Sequence, residues 1–257
     1  MHWILQRNLI SPIDLSRFER ELQLRGIPYS LVSLIPFVHE LVDELPTISD
    51  RRVFVYGSTG LGYVAKRCGW QPGYVDHNLD YELMLAKYGT RALNPAAVCA
   101  SLGGLTHVWD KFFIRPTLDT KSFAGSVMTW QELEAFRTGL AKVADAPDVT
   151  LRLTDRVIMA PLTDIEAEFR VFVIGGKPVA WSRYKVADRL SVSAEVPRAV
   201  LAYVEDCIAQ WTPNDAFTLD VALTSAGYKV IELNSANSSG VYACDVGKLV
   251  DAVNTYL

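Results

Sequence analysis

The chain has 257 residues, of which 25 are Lys or Arg and 29 are Asp or Glu, and half are hydrophobic. That length suits one large domain or two small ones, and the composition excludes both a collagen-like repeat and a charge-rich disordered chain. The formal net charge of −4 provides no whole-molecule field that would draw in nucleic acid, so no bulk nucleic-acid binding is expected.

Four cysteines, Cys68, Cys99, Cys207 and Cys244, include no Cys-x-x-Cys pair. This excludes a zinc ribbon and argues against a disulfide framework, and four reduced thiols used as small apolar side chains are expected. The opening Met1-His2-Trp3-Ile4-Leu5-Gln6-Arg7 has too short an apolar run for a secretory signal. No stretch approaches a membrane span, residues 31–38 being broken by Ser33 and Pro36. A soluble, cytoplasmic protein is the expectation.

In chain order, residues 3–6 predict a strand. Asp14 is the expected N-cap of a helix that carries Leu15, Phe18, Leu22 and Leu24 and stops at Gly26. Residues 29–34 and 53–56 predict strands, the second running into Gly57-Ser58-Thr59-Gly60-Leu61-Gly62. Residues 63–68 predict a helix and 73–76 a return to extended chain. Strands interleaved with helices imply an α/β unit with a largely parallel sheet.

The pattern changes after about residue 105. A strand is expected over 108–114, a polar loop over 116–125, and a helix over 130–143 with Leu133, Phe136, Leu140 and Val143 on one side. A strand over 157–160 follows, then two hairpins with a helix over 197–211 between them. The expected boundary lies at residues 95–105, near Asn94-Pro95.

The first hairpin reads Glu168-Phe169-Arg170-Val171-Phe172-Val173-Ile174, then Gly175-Gly176, then residues 177–185. A Gly-Gly pair suits a type I′ turn, both of whose central positions need positive φ. That register sets Ile174 opposite Lys177, Arg170 opposite Trp181 and Glu168 opposite Arg183. Glu168, Arg170, Trp181 and Arg183 would then share one face. A solvated face laced by a Glu–Arg pair fits this pattern. So does an anion site, because two arginines beside one carboxylate leave a positive charge over.

In the second hairpin, residues 217–224 turn through Ser225-Ala226-Gly227 into residues 228–234. A three-residue loop sets Thr224 opposite Tyr228 and hence Asp220 opposite Glu232, with Asn234 two residues along on the same face. Directly opposed like charges destabilise a sheet, so either solvent exposure or a bound cation is expected to offset them. The apolar neighbours Val221, Leu223, Val230, Ile231 and Leu233 indicate a buried strand pair and favour the cation. Two carboxylates and an amide suit magnesium held jointly with phosphate oxygens. Ahead of both hairpins, the segment Lys111-Phe112-Phe113-Ile114-Arg115-Pro116 ends a strand in a cation. A loop carrying Thr117, Asp119, Thr120, Lys121, Ser122, Gly125 and Ser126 follows, and its backbone N–H groups can cradle phosphates.

Together these segments resemble the ATP-grasp superfamily of ATP-dependent carboxylate–amine ligases, over roughly residues 105–250. The likeness is carried by Arg115…Lys121-Ser122-Phe123-Ala124-Gly125, by Glu168-Phe169-Arg170-Val171-Phe172-Val173, by Trp181-Ser182-Arg183 and by Asp220…Glu232-Leu233-Asn234. The last resembles the family's Asp…Glu-x-Asn metal signature. Arg115 stands where most members have a first nucleotide-binding Lys, which is similar to a clade, often phage-associated, that uses an Arg and a Lys there.

The resemblance implies an α/β (α+β) fold in which a small pre-ATP-grasp domain over residues 1–100 precedes an ATP-grasp domain over 101–257. The latter would divide into a smaller lobe over about 101–160 and a larger one over about 161–257. It implies ATP and Mg2+ as cofactors. The implied reaction joins a small-molecule or peptide carboxylate to an amine through an acylphosphate. Arg115 and Lys121 would hold the α- and β-phosphates, with Ser122 and Gly125 in the loop closing over them. Ala160 and Leu162 would meet the adenine with backbone groups, Pro161 having no N–H. Glu168 would bind the ribose, and Asp220, Glu232 and Asn234 one or two magnesium ions. Arg170 and Arg183 would sit near the γ-phosphate and the reacting carboxyl group, Arg183 stabilising the tetrahedral oxyanion. No nucleophilic Ser or Cys is required, and His2, His39, His77 and His107 are read as structural or surface residues.

Two rival classes remain open from the residues. Residues 53–62 form a strand, a Gly-rich turn and the start of a helix, with Asp76 fourteen residues beyond Gly62, which resembles the nucleotide turn of a dinucleotide-binding oxidoreductase. Its G-x-x-G-x-G spacing is not G-x-G-x-x-G. Within the ligase reading, that helix N-terminus either contacts the carboxylate substrate or its glycines serve a tight turn alone. The second rival is a non-catalytic ATP-binding protein, against which the retained Asp220, Glu232, Asn234, Arg170 and Lys121 argue.

Overall fold

A computed structural model describes residues 1–36, 38–117, 123, 125–143, 146, 149 and 151–257. Its strands fall into three sheets. In the first, β1 (His2–Gln6), β2 (Tyr29–Val32), β3 (Arg52–Tyr56) and β4 (Gln71–Gly73) pair all-parallel in the order β2-β1-β3-β4. Helices α1 (Pro12–Leu24) and α2 (Thr59–Cys68) make the crossovers that parallel pairing requires. Such strands are apolar on both faces because both are covered. Phe18 and Leu22 of α1 pack on Trp3, Leu5, Phe54 and Tyr56, while Leu61, Val64 and Ala65 of α2 pack on Ile4, Val32, Val53 and Val55. The expected parallel α/β unit therefore forms.

One detail of α1 differs from expectation. Ser11 is the N-cap, its hydroxyl accepting the Asp14 N–H at 3.1 Å, with Pro12 in the first turn. Asp14 lies inside that turn, where a carboxylate suits the helix dipole, and pairs with Arg17 at 2.9 Å.

After β4, α3 (Tyr81–Tyr88) precedes the second sheet, in which β5 (Val98–Ser101), β6 (Lys111–Pro116), β7 (Ser126–Thr129) and β8 (Arg156–Ala160) pair antiparallel as β5-β8-β6-β7. Helix α4 (Trp130–Lys142) starts from a capping box between Thr129 and Glu132 and buries Leu133 and Leu140 against Phe112, Ile114, Val157 and Met159. Val143, expected on the same side, lies past the last helical turn and is exposed.

The third sheet contains β9 (Ala167–Ile174), β10 (Lys177–Val186), β11 (Arg189–Ser193), β12 (Ala216–Thr224) and β13 (Gly227–Ser235), antiparallel in the order β11-β10-β9-β12-β13. On one face Phe169, Val171, Val173, Phe217 and Leu219 meet Tyr88 of α3 and Val200, Val204 and Cys207 of α5 (Arg198–Gln210). On the other, Phe172, Ile174 and Ala216 lie in one core with α1 and α6 (Val246–Tyr256). Along that second face the side chains then turn polar, at Arg170, Thr218 and Asp220.

Both hairpins differ from the expected register. Gly175 and Gly176 take φ of 56° and 71°, as the type I′ turn requires, and Ile174 does face Lys177. Val179 is then an extra residue, because Pro178 pairs with Val173 and Ala180 with Phe172. From there Ser182, not Trp181, opposes Arg170 and Arg183 opposes Phe169; a second extra residue, Tyr184, then lets Lys185 oppose Glu168. The residue inserted at Val179 moves Trp181 and Arg183 to the other face. In the second hairpin Thr224 pairs with Gly227, so the loop is Ser225-Ala226 and has two residues rather than three. Ile231 is the extra residue there, and beyond it Asp220 faces Glu232 as expected. A one-residue error in the loop and an unforeseen bulge cancel.

Among the described residues, no helix is long and apolar enough to cross a membrane. All four cysteines are free, Cys207 and Cys244 being buried and Cys68 and Cys99 half-buried.

Candidate functional site

Ser182 of β10, Arg170 of β9, Asp220 of β12 and Glu232 of β13 are successive partners across four strands. The sheet thereby sets a cation beside two carboxylates in one row. Arg170 donates Nε to Asp220 Oδ1 at 2.8 Å and Nη2 to Oδ2 at 2.7 Å. Asp220 is buried. The Nη1 of Arg170 makes neither of these bonds and lies near Gly240, 3.8 Å from where an added Cβ would sit. Glu232 accepts from Arg115 Nη1 through Oε2 and from Asn234 Nδ2 through Oε1 at 3.0 Å. Arg115 belongs to β6 of the second sheet, so this pair ties the second sheet to the third.

Solvent or a cation was expected to offset the Asp220–Glu232 repulsion. The fold supplies a different answer: each carboxylate has its own guanidinium. Burial pushes the Asp220 carboxyl up, further than the opposing pull of Arg170 brings it down. Burial also pushes Glu232 up, but Arg115, the Asn234 hydrogen bond and the field of Arg170 outweigh it and hold Glu232 below the ordinary carboxylate range.

Glu168 accepts from the Tyr184 hydroxyl at 2.6 Å and pairs with Lys185 at 2.9 Å. Arg183, expected beside Arg170, is on the opposite face and donates to the carbonyl and hydroxyl of Ser191, both at 3.3 Å. The bulge at Val179 is the physical reason. Ala160 is buried at the end of β8 opposite Phe113, and exposed Leu162 lies on the segment linking β8 to β9, between the second and third sheets. Gly125 lies where a Cβ would come within 2.6 Å of the Phe113 ring. Lys121 and Ser122 lie outside the described residues.

Among the described residues, no group of three or more His, Cys, Asp and Glu side chains sits together as a metal cage. The available oxygens are those of Asp220 and Glu232 and the Asn234 Oδ1, which its amide donation to Glu232 leaves over. So sparse an all-oxygen set fits magnesium, which keeps waters and phosphate oxygens in its shell.

The segment after Asn234 was not singled out by sequence, yet it joins the site to the first sheet. Asn237 is fully buried, donates Nδ2 to the carbonyls of Val55 (2.6 Å) and Gly73 (3.1 Å), and accepts the Val75 N–H at 2.9 Å. Gly57 N–H reaches the Asn237 carbonyl at 2.8 Å, and Tyr56 donates its hydroxyl to the Ser239 carbonyl. Arg17 of α1 donates to the carbonyls of Tyr242 and Cys244. Tyr242 has a φ of 45°, and no propensity rule would find a tyrosine in that conformation. The same packing gives the glycines of the Gly57–Gly62 turn a use: a Cβ at Gly57 would lie 2.6 Å from the Gln6 side chain, and one at Gly62 2.8 Å from the Tyr74 ring. Between a substrate contact and tight packing, these distances favour tight packing.

A family model of the ATP-grasp domain, clade family 3, matches residues 39–253. No curated protein matches the chain. Among solved structures the chain is similar to the ATP-grasp ligase PsnB complexed with minimal precursor, at 17% identity and a TM-score of 0.55, covering 99% of this chain and 98% of that one. It is similar to a RimK domain protein ATP-grasp from Sphaerobacter thermophilus DSM 20745, at 10% identity and a TM-score of 0.60, covering 93% and 92%. It is also similar to D-alanine–D-alanine ligase from Bacillus anthracis, at 10% identity and a TM-score of 0.55, covering 99% and 92%. At such identities the likeness to these structures is one of fold. The family match takes in the Gly57–Gly62 turn.

Proposed function

The chain belongs to the ATP-grasp family, within its clade family 3, and is thus an ATP-dependent ligase; on that premise we propose that it joins a carboxylate to an amine through an acylphosphate, with magnesium and with small-molecule or peptide substrates. The observation that carries this reading is the row Arg170–Asp220–Glu232 across β9, β12 and β13, with Asn234 beside it. PsnB has been solved with Mg and ADP and with a precursor peptide, which supports magnesium and the peptide class. The reading divides the chain into a pre-ATP-grasp domain over 1–100 and an ATP-grasp domain over 101–257, with β6, β7 and β8 of the second sheet in its smaller lobe, the third sheet in its larger lobe, and β5 crossing the boundary.

A substrate carboxylate must approach a γ-phosphate that repels it, so both charges need neutralising. Bound magnesium would supply that neutralisation at the phosphates, held by Asp220, Glu232 and the Asn234 Oδ1. Arg115 and Lys121 would take the α- and β-phosphates, with Ser122 and Gly125 in the covering loop. Backbone groups of Ala160 and Leu162 would meet the adenine and Glu168 the ribose. The Nη1 of Arg170, which makes neither bond to Asp220, would serve the reacting carboxylate and the oxyanion formed when the amine attacks. The second arginine first expected there, Arg183, is not carried into this reading, because it faces away. Closure of the phosphate loop would shield the acylphosphate from water.

The test is ADP release across a panel of amino acids and short peptides, with and without magnesium, with product mass measured for each hit. A magnesium-dependent product weighing the two substrates less one water is expected. ATP turnover indifferent to magnesium, or hydrolysis without any condensed product, would remove the proposal.

A further inference from the structure

All four oxygens of Asp220 and Glu232 already take a donor: two from Arg170, one from Arg115 and one from Asn234. Each carboxylate oxygen has a second lone pair, so a hydrogen-bond donor does not by itself exclude a divalent cation, but a paired guanidinium neutralises the negative charge that would attract one. Cation and guanidinium therefore compete for the charge of these carboxylates.

The two arginines differ in burial and in the sheet that carries them. Arg170 makes two hydrogen bonds to Asp220 and lies 5.6 and 5.4 Å from the rings of Tyr184 and Tyr242; its side chain is 11% exposed and that of Asp220 1%. Arg115 comes from a different sheet and lies 5.7 Å from the Tyr81 ring, and its side chain and that of Glu232 are 19% and 22% exposed. Arg115 is also one of the two cations that the proposed function places on the nucleotide phosphates. The residue that would bind phosphate thus now neutralises the residue that would bind the metal.

We propose that Arg115 is an exchangeable counterion. In the nucleotide-free protein it occupies Glu232 and excludes a divalent cation; phosphate draws it away and releases Glu232. This rests on the metal site of the preceding reading and adds a consequence to it: the cation binds weakly by itself, and its affinity rises with nucleotide through Arg115.

Mn2+ binding to the full chain, followed by its paramagnetic resonance signal, tests this without any turnover. Arg115→Gln is expected to bind Mn2+ at least about tenfold more tightly than the unmodified protein in the absence of nucleotide, since one charged hydrogen bond no longer competes. Arg115→Lys, which keeps a cation there, is expected to stay weak and serves if Arg115→Gln fails to fold, because Lys, a point donor without the fork, should still exclude more Mn2+ than Arg115→Met. Equal Mn2+ affinity in Arg115→Gln, or in Arg115→Met and Arg115→Lys, would overturn the exchange. The combined Arg115→Gln, Glu232→Gln protein should lose the gained affinity; if it keeps it, the cation is not at Glu232, and both the exchange and the metal-site reading go. If Glu232→Gln alone abolishes Mn2+ binding in the presence of a non-hydrolysable ATP analogue while Arg115→Gln changes nothing, only the exchange goes.

Discussion

Tyr184 and Tyr242 stack with their ring centroids 5.0 Å apart and their planes within 9°, one from β10 and the other from the loop after β13. Arg170 lies against both rings. The stack therefore buttresses the guanidinium that grips Asp220, and Tyr184 also holds Glu168 through its hydroxyl. Tyr184→Phe keeps the ring and removes only that hydrogen bond. The unfolding midpoint is expected to drop modestly, a bond to a charged group contributing about 1.5 kcal/mol, and nucleotide affinity to fall because Glu168 is no longer held; calorimetric titration with a non-hydrolysable ATP analogue measures the second.

Removing Arg170 alone strands a fully buried carboxylate. Arg170→Met should cost about 3–5 kcal/mol of stability in urea unfolding. Adding Asp220→Leu should restore most of it, since a buried ion pair replaced by apolar groups of similar size is often neutral. A single variant as stable as the parent would mean that Asp220 is protonated and indifferent to its partner.

Glu232→Gln should lower magnesium-dependent ATP turnover by more than about 100-fold, beyond what loss of an outer partner of a metal site usually costs. The fold should survive, because the glutamine fills the same volume and Arg115 is left partly in solvent. Steady-state ADP release with matched circular dichroism spectra decides the matter.

Arg183→Ala discriminates between the face expected from sequence and the face found. Its side chain is bonded to Ser191, away from Arg170. Ligation and ATP turnover should stay within about twofold of the parent, surface substitutions away from special contacts being near neutral. A large fall in ligation rate with normal nucleotide binding would return Arg183 to the reacting centre.

Acid should loosen the contact between α1 and α6. Arg25 pairs with Glu21 at 2.6 Å and with Asp251 at 2.6 Å. Hydrogen bonds from Arg20 and Arg25 hold Glu21, and a hydrogen bond from Arg25 holds Asp251, below their ordinary values. A carboxylate whose folded pKa is lowered contributes stability above its unfolded pKa and loses it as pH falls through the folded one. The urea midpoint should therefore drop below about pH 4, and Arg25→Gln should flatten that part of the curve. Parallel curves for the two proteins would exclude the clamp.

Much of this architecture was legible because local physics marks it. The apolar runs of β1 and β3 reflect a parallel sheet covered on both faces, and Gly175-Gly176 admits a turn that few other pairs can make. The opposition of Asp220 and Glu232 was read correctly although its derivation was wrong in two places that offset each other. Trp181 and Arg183 had no such compensation, and the bulge at Val179 turned both away from Arg170. The partner of Glu232 was beyond local reasoning, since Arg115 lies 117 positions away on another sheet.

The order of residue types along each strand is covalent, so the sequence alone determined that oxygen donors, arginines and a glycine-bearing polar loop would be present, and with them the class of chemistry. Which face each of those side chains takes, and which cation meets which carboxylate, was left to tertiary structure. A single bulged residue reverses facing at little local cost, and contacts between sheets depend on loop closures that spacing along the chain does not encode.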